Sequence, residues 1–340
     1  MTALPLLPTM GVGSYAAPGW FIAVRRMMRD GLLGSHDIQE MLDDATRVVL
    51  ADQVEAGVDI FTDGELRRQR FVFEVYDQLQ GLRRISPARR LGIAGYDMAP
   101  HFAPEGRVTA PNGLGTVDDF RALRALLPDR PVKIAIPGPL TFAEFIDAEP
   151  QQVEPLWEDI LTIVRAELQA LVEAGADYIQ LDEPALPRPP VGNSPEDSAA
   201  FVNRALEGLP GRLAVHVCFG NNAGRPFADR RMGRLVAAME RLECHQLVLE
   251  FANREMGELE VIQGLASKFD IAVGVIDVKN FHLESAEDVA GRIEQCLAYV
   301  PAEKLTVTAD CGFSALPRYL ARQKLEAMVG GARLARERLG

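Results

Sequence analysis

The stretch VEAGVDIFTDGE (residues 54–65) decides the fold, because the chain repeats it as VEAGADYIQLDEP at residues 172–184. Each copy closes a helix-period pattern, passes through a glycine and enters a short β-rich run that ends in acidic residues. Gly57 and Gly175 stand where a helix C-cap is expected. The repeat therefore predicts two helix–turn–strand units of one alternating α/β chain.

Near-continuously apolar runs of this kind recur along the chain, as expected for parallel strands that are covered on both faces. The eight candidate strands are residues 9–14, 57–65, 132–138, 177–184, 213–220, 246–252, 270–277 and 305–312. Helix-period segments lie between them, and one opens with the cap signature Ser285-x-x-Asp288. Eight strands alternating with helices predict a (β/α)8 TIM barrel that occupies residues 1–340 as a single domain. The alternative, an open doubly wound sheet, lacks a Gly-rich dinucleotide or P-loop fingerprint.

Two Pro/Gly-rich excursions interrupt the alternation, at about residues 83–116 and 185–197. A typical barrel needs about 250 residues, so this chain has room for insertions. Both excursions follow the carboxyl ends of candidate strands, where barrels place their active sites. We expect them to be inserted loops that cover the site.

Charge and hydropathy exclude several classes of function. The chain carries 36 Lys+Arg and 48 Asp+Glu, a formal net charge of −12. This excludes the broadly basic face that nucleic acids or anionic membranes require. No apolar run approaches the ~20 residues of a membrane span, and the N-terminus lacks the features of a signal peptide, so we expect a cytoplasmic protein. Four cysteines in so long a chain predict metal binding, catalysis or burial and not a disulfide framework.

A possible metal site begins in LAVHVCFG (residues 213–220). Residues i and i+2 of a strand share a face, so His216 and Cys218 project together; alone, this pattern also suits a buried core strand. Glu250 and Cys311 lie late in the sixth and eighth candidate strands, at the same edge of the predicted barrel. An imidazole, two thiolates and a carboxylate suit tetrahedral zinc, whereas two soft sulfurs disfavour magnesium or calcium. The carboxylate is the weakest of the four ligands, so a substrate thiol would displace it and lose its proton to become a nucleophile.

Taken together, the motifs resemble the catalytic barrel of cobalamin-independent methionine synthase from GVGS (residues 11–14) to ADCGF (residues 309–313). The resemblance implies that zinc is held by His216, Cys218, Glu250 and Cys311. It also implies that a zinc-bound homocysteine thiolate attacks an activated methyl group to give methionine.

The same resemblance implies a set of substrate contacts. Asp182 in YIQLDEPAL would hold the amino group of homocysteine, and Glu65 in TDGE would contact the same substrate. Val12 and Ser14 in GVGS would contact the amino-acid part.

The chain departs from the family pattern mainly on the side of the methyl donor. Lys279 in IDVKNF stands where the family has its proton-donor histidine; it would serve as a general acid or pair with a carboxylate. Phe145 in GPLTFAEF replaces a tryptophan expected to stack on a pterin, and Arg107 aligns with a folate contact inside a divergent loop. The long enzymes of the family also carry an N-terminal half, so we expect a core-only form here.

These departures leave alternatives open. The donor would be methyltetrahydrofolate or a methylcorrinoid, and the second would make a corrinoid protein a partner. The acceptor would be homocysteine, as Glu65 and Asp182 favour, or another thiol such as coenzyme M, for which Arg188 could hold the sulfonate. Two further classes are a zinc- or thiol-binding barrel without turnover and a decarboxylase relative, which would not need the four ligands.

Overall fold

Helices and strands alternate through most of the computed structural model, which describes residues 4–68, 75–86, 101–189, 193–221, 226 and 228–340. In chain order the strands are β1 Gln80–Ile85, β2 His101–Thr109, β3 Ile134–Pro137, β4 Tyr178–Asp182, β5 Arg212–Val217, β6 Gln246–Glu250, β7 Asp270–Ile276 and β8 Leu305–Ala309. The described helices are α1 Gly19–Arg29, α2 Ser35–Ala56, α3 Thr116–Leu126, α4 Pro139–Ala143, α5 Pro150–Glu173, α6 Pro195–Leu206, α7 Val236–Arg241, α8 Val261–Leu265, α9 Ala286–Leu297 and α10 Arg318–Leu339.

The central sheet has six strands in the order β3-β4-β5-β6-β7-β8, and every neighbouring pair is parallel. All residues of β3, β4, β6 and β8 are buried, as expected for strands that are covered on both faces. These strands match the third to eighth candidate strands, so the prediction of a parallel α/β sheet is confirmed. Because the strands run in parallel, their carboxyl ends lie at one edge.

The first two candidate strands are present as isolated parallel bridges and not as ladders. Thr9 bridges Val307 of β8, Met10 bridges Ile60, and Phe61 bridges Val132 just before β3. A side chain replaces part of the missing ladder: the Gln53 amide donates to the Thr62 carbonyl at 2.9 Å and accepts from the Thr62 N–H at 3.0 Å. This satisfies the Thr62 backbone without a regular strand partner.

Part of the first predicted loop is instead a two-stranded antiparallel sheet, in which β1 pairs with β2. Gly81 makes the pairing possible, since its φ is +81° and a Cβ there would lie 2.1 Å from the Arg107 carbonyl oxygen. The sheet, hereafter the β1–β2 hairpin, is attached beyond α4, where the Phe102 N–H donates to the Phe145 carbonyl at 2.8 Å. Residues 87–100 of the first predicted loop and 190–192 of the second lie outside the described part of the chain, and α6 already begins at Pro195 within the second.

The predicted helix ends are confirmed. Gly57 follows α2 with φ +82°, and Gly175 follows α5 with φ +94°. At the start of α9 the Ser285 hydroxyl accepts from the Asp288 N–H at 3.1 Å, and the Asp288 carboxylate accepts from the Ser285 N–H at 2.9 Å. Over the described residues, every helix is too short or too polar to cross a membrane.

Candidate metal centre and substrate pocket

Three potential metal ligands meet at the carboxyl edge of the sheet. His216 belongs to β5, Cys218 follows the end of β5, and Cys311 follows the end of β8. Their ligand atoms all lie within 4.8 Å of one another. His216 and Cys218 are buried and Cys311 is partly buried, so the group is shielded from competing water.

The imidazole of His216 is held in one orientation. Asp182 and His216 are register partners on β4 and β5, and Oδ1 of Asp182 lies 2.9 Å from Nδ1 of the histidine. Burial lowers the pKa of His216, but the hydrogen bond and charge of Asp182 outweigh burial and raise it overall. The second ring nitrogen, Nε2, is buried and has no hydrogen-bond partner among the described residues. An imidazole held by a carboxylate through one nitrogen, with the other free, has the arrangement of a metal-ligating histidine.

The two cysteine side chains at the site are joined by a hydrogen bond. A hydrogen bond from Cys218 lowers the pKa of Cys311 to about 6, against the effect of burial. That hydrogen bond and burial raise the pKa of Cys218 well above its ordinary value. The hydrogen bond thus favours the thiolate at Cys311 and the thiol at Cys218, and a bound soft cation would favour the thiolate form of both.

The fourth predicted ligand, Glu250, lies outside this three-residue group. It ends β6, and its Oε2 accepts from the Nζ of Lys279 at 2.6 Å. Its Oε1 is buried without a hydrogen-bond partner in the described part of the chain. Burial lowers the pKa of Lys279, but the charges of Glu250 and the two cysteines raise it overall. Of the two roles considered for Lys279, pairing with a carboxylate is therefore the one that the contacts display.

Asp310, next to Cys311, organises the turn that follows Glu250. Its carboxylate accepts from the backbone N–H groups of Phe251 and Ala252 at 2.8 Å and of Asn253 at 2.6 Å. A Cβ on Gly274 of β7 would lie 2.4 Å from Oδ1 of Asp310. The carboxylate thus joins the ends of β6 and β8. In the sequence, the only sign of this role is that Asp310 is next to Cys311.

The residues predicted to contact the amino acid lie at the same edge. Gly13 packs against Glu65, since a Cβ on this glycine would be 2.2 Å from the carboxylate Oε1. Ser14 packs against the residue after Cys311, because a Cβ on Gly312 would be 1.8 Å from the Ser14 hydroxyl. Val12 contributes its carbonyl, which accepts from Gln180 Nε2 at 3.0 Å.

Glu65 adopts a left-handed backbone conformation with φ +56°, which is uncommon for a residue other than glycine and concentrates at functional sites. Burial raises the pKa of Glu65 to about 8, although the nearby Arg68 lowers it. Arg68 is itself buried, with Nη2 2.8 Å from the Ala135 carbonyl and 3.7 Å from Glu65 Oε1. A buried carboxylate of this kind gains from a cationic group such as an ammonium.

The two residues predicted to contact the methyl donor lie with the β1–β2 hairpin and not with the metal-ligand group. Nε of Arg107 donates to Asp159 of α5 at 2.8 Å, and the Arg107 side chain is 79% exposed. The ring of Phe145 meets that of His101 edge-on, with 6.0 Å between the centroids.

The fold and the site define a class: an α/β enzyme that presents a buried imidazole, two cysteine thiols and a paired carboxylate at the carboxyl edge of a parallel sheet. Residues 7–334 match the family model described as the catalytic domain of cobalamin-independent synthase. The chain belongs to the cobalamin-independent methionine synthase family. It is a methyltransferase, and the reaction of its family is the methylation of homocysteine.

Similar proteins support this assignment over the full chain. A methionine synthase of Sulfurisphaera tokodaii is 34% identical, covering 100% of this chain and 95% of its own. One of Saccharolobus solfataricus is 33% identical, with 100% and 98% covered. Among solved structures, a B12-independent methionine synthase from Shewanella sp. W3-18-1, in complex with selenomethionine, superposes with a TM-score of 0.78 at 28% identity, covering 98% of this chain and 99% of that one.

Proposed function

We propose that the protein is a zinc-dependent homocysteine methyltransferase in which His216, Cys218 and Cys311 hold the ion and Glu250 is the fourth ligand. The observation that carries the proposal is the set of three ligand atoms within 4.8 Å of one another. Two buried atoms without a hydrogen-bond partner among the described residues also support the proposal: Nε2 of His216 and Oε1 of Glu250 are both free to bind a cation. Nitrogen and sulfur donors suit zinc better than a harder cation.

The side chains around the ligands supply orientation and charge. When bound, zinc would lower the pKa of a coordinated homocysteine thiol and make its sulfur a nucleophile near neutral pH. Asp182 orients the imidazole, and Asp310 sets the turn next to Glu250. Lys279 compensates the negative charge of the Glu250 carboxylate. The burial of the group excludes bulk water from the reacting sulfur.

The acceptor is an amino-acid thiol. Asp182 would face its ammonium group, and the ammonium would lower the raised pKa of Glu65 so that this carboxyl ionises beside it. Ser14 and Val12 would approach its other polar atoms. A sulfonate-bearing thiol such as coenzyme M would need a cation here. Arg188, the residue considered for that role, is paired with Glu144.

The methyl donor is methyltetrahydrofolate or a methylcorrinoid carried by a corrinoid protein. Phe145 and Arg107 form the donor side, and Lys279 would protonate a poor leaving group if its pairing with Glu250 is exchanged. A panel of methyltetrahydrofolate, its polyglutamate, methylcobalamin and S-methyl compounds, each with homocysteine or coenzyme M, separates the donors and acceptors. Product formation only with coenzyme M would overturn the proposed acceptor.

Zinc content and proton release test the thiol half directly. Wild-type protein should hold one zinc and release about one proton per homocysteine bound at pH 7, whereas His216→Ala should do neither. As a control, His245→Ala removes a histidine whose Nδ1 accepts from the Leu213 N–H at 3.1 Å, outside the site. Wild-type protein that binds homocysteine without zinc or without proton release would refute the mechanism.

Two broader proposals follow from the contacts around the site. The bridges of residues 9–10 and 60–61 to β8 and toward β3 support a closed eight-stranded (β/α)8 barrel, formed by residues 1–340 as one domain.

The four free thiols suit a reducing compartment, which supports action in the cytoplasm.

A further inference from the structure

Lys133 is a buried lysine that the proposed reaction does not use. It directly precedes β3 and is 0% exposed, among parallel strands that are otherwise mostly apolar. Its Nζ donates to Oε1 of Gln180 at 2.5 Å. Since a buried ammonium is costly, and an apolar side chain of similar length would fill the same space, its presence calls for a role other than packing.

Gln180 has only one amide orientation that its neighbours permit. Its Nε2 lies 3.0 Å from the Val12 carbonyl and 2.7 Å from Oδ1 of Asp182. Both of these neighbours are acceptors, so the NH2 group must face them and Oε1 must face Lys133. Lys133 is the donor that satisfies this buried oxygen.

Asp182 connects Gln180 to the metal-ligand group by hydrogen bonds. The Oδ1 atom that accepts from Gln180 is the one that lies 2.9 Å from Nδ1 of His216. A carboxylate can only accept here, so Nδ1 carries the hydrogen and Nε2 presents its lone pair. Four side chains on neighbouring strands thus form one chain of hydrogen bonds, in the order Lys133, Gln180, Asp182 and His216.

We propose that Lys133 is a positioning residue for the metal site: by fixing the amide of Gln180 it fixes Asp182, and through Asp182 it holds the His216 ring with Nε2 directed at the ion. The proposal rests on the proposed zinc-dependent function and extends it to a residue that touches neither metal nor substrate. Without the Lys133 donor, Gln180 Oε1 is left buried and unpaired, so the whole Gln180 side chain would shift toward another donor and its hydrogen bond to Asp182 would weaken.

The test is a double-mutant cycle on zinc affinity, with zinc alone as the probe in competition with a chromophoric chelator. Lys133→Met and Gln180→Met should each raise the zinc Kd about tenfold, the lower end of what outer partners of metal ligands contribute. The zinc Kd of the double variant should be no higher than that of Gln180→Met, because both changes break the same series of hydrogen bonds. Cobalt-substituted Lys133→Met should show a shifted visible ligand-field spectrum, which a loss of folding stability alone would not produce.

Gln246→Met is the matched control. Gln246 is also 0% exposed on a neighbouring strand, but it bonds to Tyr178 and Thr306, outside the chain of four. This variant should lose thermal stability and keep its zinc Kd within twofold of wild type.

The outcomes separate this inference from the proposed function. A zinc Kd within twofold of wild type for Lys133→Met, or losses that add in the double variant, would overturn the role of Lys133. If wild-type protein binds zinc and His216→Ala does not, while Lys133→Met binds normally, only this inference fails. If wild-type protein does not bind zinc, the proposed function fails with it.

Discussion

Lys279 and Glu250 form a buried ion pair between the ends of adjacent strands, with Nζ and Oε2 2.6 Å apart and side chains 5% and 0% exposed. Removing one partner of such a pair leaves an uncompensated charge in a dry environment. A bound dication would compensate Glu250 in place of Lys279. The cost of losing Lys279 should therefore depend on the metal.

Lys279→Met should lower the free energy of unfolding by roughly 3 kcal/mol in chelator-treated protein and by clearly less in zinc-loaded protein. Urea unfolding with and without chelator measures both values. The double variant Lys279→Met with Glu250→Gln serves as the control and should recover most of the loss. Equal losses in the two metal states would mean that Glu250 does not approach the ion.

The cysteines divide into a pair at the site and a pair elsewhere. Cys311→Ser or Cys218→Ser should reduce bound zinc to below a tenth of wild type and abolish methyl transfer, because one soft donor is replaced by a poor one. Cys244→Ser and Cys296→Ser are the matched controls: Cys296 is buried on α9, and Cys244 precedes β6 with its Sγ 3.4 Å from the Gln246 carbonyl. Metal analysis and turnover should leave the controls near wild type; full zinc in Cys311→Ser would contradict the ligand set.

Glu65 predicts a pH dependence of stability. Its pKa in the folded protein, about 8, lies above the unfolded value, so the folded state binds more protons between about pH 4.5 and 8. This contribution to stability is complete below the unfolded pKa and is lost as pH rises through that window. The slope attributable to Glu65 is at most about 1.4 kcal/mol per pH unit. Glu65→Gln should flatten the decline in unfolding free energy between pH 5 and 8, and an unchanged slope would contradict the assignment.

At the scale of elements, the strands of the central sheet were predictable and the hairpin was not. β3 to β8 are apolar runs bounded by turn residues, and that pattern is local in the sequence. Residues 80–85 and 101–109 are polar and Pro/Gly-containing, so they resemble a loop. Their pairing depends on the positive φ of Gly81, which an apolar pattern does not reveal, and on an anchor at Phe145, which lies outside the hairpin.

The site divides in the same way. His216, Cys218 and Cys311 were predictable because strand alternation and strand ends place them together. The pairing of Glu250 with Lys279 and the capture of the following turn by Asp310 depend on contacts between strands, which spacing alone does not encode. Lys133 and Gln180 carried no sequence signal, because a lone lysine beside an apolar run resembles a strand boundary.

Gly81→Ala tests what the β1–β2 hairpin does. The added Cβ would strike the Arg107 carbonyl in a backbone conformation that alanine disfavours. We expect KM for the methyl donor to rise at least tenfold, with the zinc Kd unchanged. Gly106→Ala is the control in the same hairpin, because its φ is also positive but no atom of the described residues lies within 4 Å of the added Cβ. Equal effects in both variants would point to backbone strain and not to the clash.

At the scale of the whole molecule, the proposed site should couple metal binding to folding, because the proposed ligands lie at the ends of β5, β6 and β8 and come together only when the sheet is formed. Zinc at about 100 times its Kd should stabilise the fold by about 2.7 kcal/mol and raise Tm by roughly 3–5 °C for a chain of this length. Differential scanning calorimetry with zinc and then with excess chelator measures the shift. His216→Ala should show no zinc-dependent shift in Tm. A wild-type Tm that does not change when the chelator is added would exclude a metal site built across the sheet.

The attachment of the β1–β2 hairpin has a consequence for how donor specificity could evolve in such an enzyme. Phe102 bonds to Phe145, which lies between α4 and α5, and Arg107 bonds to Asp159 within α5. Neither contact involves the strands that carry the sulfur and imidazole groups. If the hairpin forms the proposed donor side, a chimera that received it from a relative would be expected to change its methyl donor and to keep its thiol chemistry. Specificity for the methyl donor and activation of the thiol could then evolve independently within one chain.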